Sequence, residues 1–267
     1  MTADLSTARA VLFVPGDRPD RFAKAIASGA DAVVPDLEDA VAPGRKPLAR
    51  KEVRQWLDSG GGGVVRVNSV DSPWYDEDVE ALAGFADAVM LPKASSAEQV
   101  RALVASGCAV VPLLETAAGI LNAAAICAVP GVVRAAFGNG DLGLELRLDA
   151  GNQPGLATAR SMVVLASAAA GIGAPLDGVT LSYSDGQALE SDLRHAVELG
   201  FGGKLCIHPS QVTAVRSAFA PRPGEVRWAR DVLRADVDGA AVAFGGTMID
   251  RPIVARARQI LSAAGEG

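Results

Sequence analysis

The chain has 267 residues, with 25 lysines and arginines against 31 aspartates and glutamates and a formal net charge of -6. That length suffices for one full barrel-sized core, and the acidic balance, with no basic block, excludes the electrostatic footprint of a nucleic-acid binder. Cys108, Cys127 and Cys206 form an odd set with no CxxC spacing, which fits a cytoplasmic, reducing compartment better than a disulfide framework.

The N-terminal MTADLSTARA has neither the basic start nor the apolar stretch of a signal peptide. The longest apolar stretches, 117–133 and 162–176, are Ala-rich and interrupted by Asn, Pro or Gly. They fall short of the roughly 20 apolar residues of a spanning helix, so no membrane association is expected.

In chain order, β-prone apolar runs fall at 10–14, 32–37, 64–67, 88–91, 109–114, 132–137, 178–181 and 204–207. Nearly all are apolar on both faces, as parallel strands covered on both sides must be. Helical patterns lie between them. Pro19 can start the first and Gly29 stop it; Ser95 with Glu98 has capping-box spacing and Gly107 closes that helix; Ser184 or Asp185 opens a later one that Gly200 ends. The GGGG at 60–63 reads as a flexible connection. Eight strands alternating with helices predict an α/β fold, a closed (β/α)8 TIM barrel over residues 1–219, with an open doubly wound sheet as the alternative.

Residues 220–224, APRPG, read as a linker into a short C-terminal helical extension, 220–267. It comprises a helix over 225–234, an apolar run at 240–244, GGTMID at 245–250 and a last amphipathic helix. It is too short to bury its own core and is expected to pack on the barrel or on a neighbouring subunit.

The strand ends carry the polar groups. Asp36-Leu37-Glu38-Asp39 follows the second strand, Arg66-Val67-Asn68 the third and Leu91-Pro92-Lys93 the fourth; Glu115 ends the fifth and Asn139-Gly140-Asp141 follows the sixth. In a barrel these converge on the C-terminal face, where such folds keep their active sites. Glu115 and Asp141 are candidate metal ligands. Two carboxylates without a nearby Cys or His suit Mg²⁺, which uses few protein carboxylates and leaves positions for water and substrate oxygens. A helix cap and a turn residue are the structural alternative for the pair. Arg66, between Val65 and Val67, is costly to bury unless it faces the mouth and meets an anion or a developing oxyanion; a structural pairing with Glu38 or Asp39 is the alternative. Lys93 could form a Schiff base, but Pro92 and the two carboxylates favour a structural or electrostatic role.

Taken together, LFVPGDRPDRFAKA, DLEDAV, RVN, LPKA, LLETAAG, GNGDL, CIHPSQV and GGTMIDRP, in this order over nearly the whole chain, resemble the citrate lyase beta subunit and its relatives in the HpcH/HpaI aldolase superfamily, which includes malyl-CoA and citramalyl-CoA lyases. The resemblance implies Mg²⁺-dependent cleavage of a 3-hydroxyacyl-CoA of the citryl-, malyl- or citramalyl-CoA type into an acyl-CoA and a keto acid, or the reverse condensation. A CoA-thioester hydrolase of the malyl-CoA type, or a subunit active only within a citrate lyase complex, are the alternatives it leaves.

Carried over residue by residue, the resemblance makes Glu115 and Asp141 the Mg²⁺ ligands and Arg66 the group that polarises the keto-acid carbonyl. Glu38 and Asp39 hold metal-bound waters and orient Arg66. Phe13, Arg18 and Lys24 bind the CoA, and Asp250, from the MID motif of an adjacent subunit, moves a proton at the acyl-CoA α-carbon. A homotrimer or hexamer is implied. On local sequence alone, Asp250 would cap the last helix, and Arg18 and Lys24 would be ordinary solvated charges. His208 is expected to pack or hydrogen-bond near the mouth rather than catalyse. The sequence departs from many relatives in having Gly140 where they carry Glu before the metal aspartate, which puts keto-acid specificity in doubt.

Overall fold

The computed structural model describes residues 4–235, 242–244 and 247–266. The chain divides into two compact units, Met1–Ala218 and Phe219–Gly267.

In the first unit eight parallel strands close in sequence order, β1 joining both β2 and β8. They are β1 (Ala10–Pro15), β2 (Ala32–Asp36), β3 (Val64–Arg66), β4 (Ala88–Leu91), β5 (Val110–Leu114), β6 (Arg134–Phe137), β7 (Gly173–Asp177) and β8 (Gly203–Cys206). The helices between and after them are α1 (Phe22–Ala27), α2 (Lys46–Asp58), α3 (Tyr75–Leu82), α4 (Ala97–Ala105), α5 (Ala117–Leu121) and α6 (Ala123–Cys127). The series continues with α7 (Asn139–Leu146), α8 (Gln153–Ala170), α9 (Gly186–Leu199) and α10 (Pro209–Ala218). The expected (β/α)8 TIM barrel is therefore the fold.

Because side chains alternate along a strand, every second residue points into the barrel. Val11, Ala32, Val34, Val64, Ala88, Met90, Val111, Leu113, Ala136, Leu176 and Leu205 form that interior, with Ala8 at its base. The intervening residues, such as Leu12, Val33, Val65, Val89 and Leu114, are equally buried on the helix-facing side. Both faces being dry accounts for the continuous apolar runs.

Arg134, the first residue of β6, closes the base. Its guanidinium donates to the carbonyls of Leu5, Ala8 and Ala174, which ties the N-terminal segment across the barrel floor. Burial pushes its pKa down to about 10.

Three sequence expectations shift. The seventh strand is Gly173–Asp177, not 178–181; Pro175 and two small residues hide the strand, while Val179 to Leu181 form the loop after it. The seventh strand thus ends on Asp177, whose buried carboxylate pairs with Arg160 Nε at 2.8 Å and Lys204 Nζ at 3.0 Å. The capping box sits one residue later than expected, on Ser96 and Gln99, since SSAEQ offers both registers. Pro19 opens a 3-10 turn that leads into α1, and Gly29, Gly107 and Gly200 adopt the positive φ of a helix stop.

The second unit contains α11 (Pro223–Ala235), a hairpin of β9 (Val242–Phe244) and β10 (Thr247–Ile249), and α12 (Arg251–Ala263). Pro223 and Gly224 belong to α11 rather than to a linker. Contrary to expectation, this extension has a small apolar core of its own. Ala229 and Val232 of α11 meet Ile249, Val254, Ala257 and Leu261, because two amphipathic helices can cover each other's apolar stripes. Of the expected apolar run at 240–244 and the following glycines, Ala240, Ala241, Gly245 and Gly246 lie outside the described residues.

Candidate active site

The inward alternation decides which strand-end residues reach the mouth. Continuing by twos from Val34, Val64 and Leu113 leads to Asp36, Arg66 and Glu115 at the C-terminal ends of β2, β3 and β5. On β6 the same step from Ala136 leads to Gly138. A Cβ there would lie 2.4 Å from Glu115 Cβ and 2.5 Å from Glu115 Oε2. Glycine at 138 leaves the space that Glu115 fills.

Arg66 is the hub of one half of the site. Asp36 and Arg66 are register partners, and the carboxylate accepts from Nε at 2.7 Å and Nη2 at 2.6 Å. Nη1 is left facing Glu38 Oε2 at 3.0 Å and Asp39 Oδ2 at 3.6 Å. The guanidinium lies 4.6 Å over the Phe13 ring. Burial works against its charge, but Asp36 and Glu38 outweigh it and hold the pKa above the ordinary arginine value. Asp36 is itself fixed by the backbone N–H groups of Glu38 and Ala40, at 2.9 and 3.0 Å. Lys46, buried, donates to the carbonyls of Leu37 and Glu38 and to Asn68 Oδ1, so the loop carrying Glu38 and Asp39 is pinned from beneath.

The other half holds Glu115, Lys93 and Asp141. Glu115 is buried and accepts from the Lys93 backbone N–H at 2.9 Å. Burial, with the charges of Glu38 and Asp141 adding to it, pushes its pKa to about 8 despite Arg66 and Lys93. Asp141 stands in the first turn of α7, where a helix favours negative charge. Lys93 Nζ lies 2.5 Å from Glu38 Oε1 and 2.9 Å from Asp141 Oδ2. Burial also raises the pKa of Glu38.

These residues fit a hard divalent cation. The donors are all carboxylate oxygens, and an ammonium already lies among them. Glu38 Oε2 is buried without a hydrogen-bond partner, its contact with Arg66 lacking hydrogen-bond geometry. Among the described residues no group of three or more His, Cys, Asp or Glu side chains gathers as a complete metal cage; Mg²⁺ commonly uses one or two protein carboxylates with water and substrate oxygens. A cavity of about 410 Å³ opens onto Arg66, Glu115 and Asp141, walled by Phe13, Val179, Leu181, Leu205 and Ile207.

The structure thus brings together Phe13, Glu38, Asp39, Arg66, Glu115 and Asp141. Arg18 is ion-paired with Asp20 at 2.9 Å and Lys24 is exposed on α1. Asp250, in the second unit, is exposed and caps α12, its Oδ1 accepting from Ile253 N at 3.1 Å. His208 is exposed, hydrogen-bonded to Ser210 Oγ and stacked 5.0 Å from Tyr183. Asp36, Lys46, Asn68 and Gly138 were missed as site residues. Alternation from Val34 would have found Asp36, and alternation along β6 would have found Gly138.

The barrel thus gathers carboxylates and a buried arginine at its C-terminal mouth, where enzymes of this fold carry their active sites. Residues 9–209 match the model of the HpcH/HpaI aldolase/citrate lyase family, and the chain belongs to that family. It is 42% identical over 263 residues to a citrate lyase subunit beta-like protein of Mycobacterium tuberculosis, covering 96% of this chain and 95% of the relative. It is 37% identical over 273 residues to a (3S)-malyl-CoA thioesterase of Cereibacter sphaeroides, covering 96% and 94%. Among solved structures, CitE of M. tuberculosis in complex with magnesium, acetoacetate and coenzyme A superimposes with a TM-score of 0.84 at 39% identity, covering 98% of this chain and all of that one.

Proposed function

We propose that this protein is a Mg²⁺-dependent carbon-carbon lyase that cleaves a 3-hydroxyacyl-CoA of the citryl-, malyl- or citramalyl-CoA type into an acyl-CoA and a keto acid, or joins them. The observation that carries the reading is the placement of the Arg66 fork and the Glu115–Asp141 pair on one cavity. Glu115 and Asp141 would hold the Mg²⁺, which when bound supplies Lewis-acid stabilisation of the keto-acid oxygens.

The chain's own groups account for the rest. In cleavage the hydroxyl proton leaves, the bonding pair of the broken C–C bond moves to the α-carbon of the acyl-CoA part, and that carbon takes up a proton. Arg66, oriented by Asp36 and Glu38 and needing no rearrangement, donates to the oxygen on which charge develops. Asp39 and Glu38 would orient water at the mouth, and Phe13 braces Arg66 while bordering the substrate. Arg18 and Lys24 would meet the CoA phosphates, Arg18 exchanging Asp20 for a phosphate oxygen. Asp250 of a neighbouring copy would deliver the proton to carbon, which makes the working form a homotrimer or hexamer. The extension over 220–267 would supply that contact. The cytoplasm is the compartment proposed, in keeping with three free, buried cysteines.

The thioesterase relative gives a second outcome to separate. Purified protein with Mg²⁺ is assayed on malyl-CoA, citramalyl-CoA and citryl-CoA, with keto acid and free CoA both followed. Keto acid with intact acyl-CoA supports the lyase. Free CoA with an uncleaved hydroxy acid favours hydrolysis. No reaction until partner subunits are added favours a citrate lyase complex.

A further inference from the structure

We propose that Lys93 is the built-in counter-ion of the metal-free site, its ammonium lying between Glu38 and Asp141, beside Glu115, and competing there with the divalent cation. The inference rests on Glu115 and Asp141 being the metal pair.

One residue meets three carboxylates. Its ammonium bridges Glu38 Oε1 at 2.5 Å and Asp141 Oδ2 at 2.9 Å, and its backbone N–H donates to Glu115 Oε1 at 2.9 Å. Lys93 makes these contacts from a left-handed backbone, φ 52°, which costs a non-glycine residue about 1–2 kcal/mol. Strain of this kind persists only where the surroundings impose it. Glu38 and Asp141, drawn to one point beside Glu115, repel one another unless a cation sits between them, and the ammonium meets that need.

The ammonium also has a way out. The Lys93 side chain is 37% exposed, whereas Lys204, paired with Asp177, is 1% exposed. A lysine fixed for structure alone would resemble Lys204. Lys93 can swing its four-carbon stem into water when a divalent ion takes its place, so the site exchanges one cation for another.

The test is Mg²⁺ titration by calorimetry into chelator-treated protein without substrate, together with thermal unfolding with and without Mg²⁺. Lys93→Met is expected to bind Mg²⁺ roughly threefold more tightly or better and to lose more melting temperature metal-free than Mg²⁺-loaded. Lys93→Arg, which keeps a charge, should stay near wild type in both. Unchanged or weaker Mg²⁺ binding by Lys93→Met, or equal losses in the two states, would overturn the proposal. Should Lys93→Met not fold, Lys93→Gln is measured in its place; folding only with Mg²⁺ supports the proposal, and folding in neither state overturns it. Glu115→Gln serves as control. If it binds Mg²⁺ as wild type does, the metal pair itself is misassigned, whereas a failure confined to the Lys93 variants removes this inference alone.

Discussion

Asp36 and Arg66 face each other across β2 and β3 as register partners, joined by hydrogen bonds of 2.7 and 2.6 Å. The pair fixes two of the three guanidinium nitrogens and turns the third, Nη1, toward Glu38. Arg66→Lys keeps the charge and loses the fork. It is expected to fold and to lose roughly a hundredfold or more in kcat. Asp36→Asn should lower kcat as well, with a stability loss of about 1–3 kcal/mol. Steady-state kinetics and denaturant melts check both; wild-type turnover in Arg66→Lys would remove the oxyanion role.

Gly138→Ala brings a methyl group to 2.4 Å from Glu115 Cβ. Glu115 must shift, so Mg²⁺ affinity is expected to fall while the barrel survives with a loss of about 1–3 kcal/mol. Calorimetric Mg²⁺ titration reads the first effect and chemical denaturation the second.

The pH dependence of the metal-free protein follows from Glu115. Its folded pKa is about 8 against an ordinary 4.5, so between those values the folded chain holds a proton that the unfolded chain has released. The stability contributed by this group is complete below its unfolded value and is lost as pH rises through the folded one. With chelator present, the melting temperature should fall across that window more steeply in wild type than in Glu115→Gln. Mg²⁺ binding should strengthen over the same range, because the ligand must first lose its proton.

Asp250 caps α12 through Oδ1. Asparagine caps nearly as well as aspartate, whereas alanine costs about 1 kcal/mol. Asp250→Asn is therefore expected to keep its melting temperature and lose turnover, and Asp250→Ala to lose both. Full turnover in Asp250→Asn would reduce the residue to a cap.

Removing Lys46 takes its donor from the Leu37 carbonyl and Asn68 Oδ1, while the Glu38 carbonyl keeps the Val41 N–H. Lys46→Met should destabilise the protein by about 1–3 kcal/mol and raise KM as the Glu38 loop loosens, readable from melts and kinetics together.

Most of the barrel was legible because strands dry on both faces leave uninterrupted β-branched runs, as at Val64–Arg66 and Val110–Leu114. β7 was not, since Gly173-Ala174-Pro175 carries almost no β signal and the more apolar residues after it do. Glu115, Asp141 and Arg66 were legible as charges at strand ends. Asp36 was obscured by the neighbouring acids Glu38 and Asp39, and only the two-residue alternation separates it from them. Lys46 and Asn68 meet across 22 positions of sequence, a contact that local pattern does not encode. The second unit's own core was missed because length alone does not reveal that α11 and α12 present matching apolar stripes.

The charged residues lining the cavity lie between Asp36 and Asp141, whereas Val179, Leu181, Leu205 and Ile207, from a later stretch, supply part of its apolar wall beside Phe13, Pro15, Ala40, Leu113 and Phe137. The ionic chemistry and part of the cavity's shape are therefore written in separate stretches of sequence. Substitutions in the later stretch can reshape that part of the space offered to a keto acid while the ion cluster keeps its wiring, so one catalytic apparatus can be refitted to different substrates from outside its charged segment.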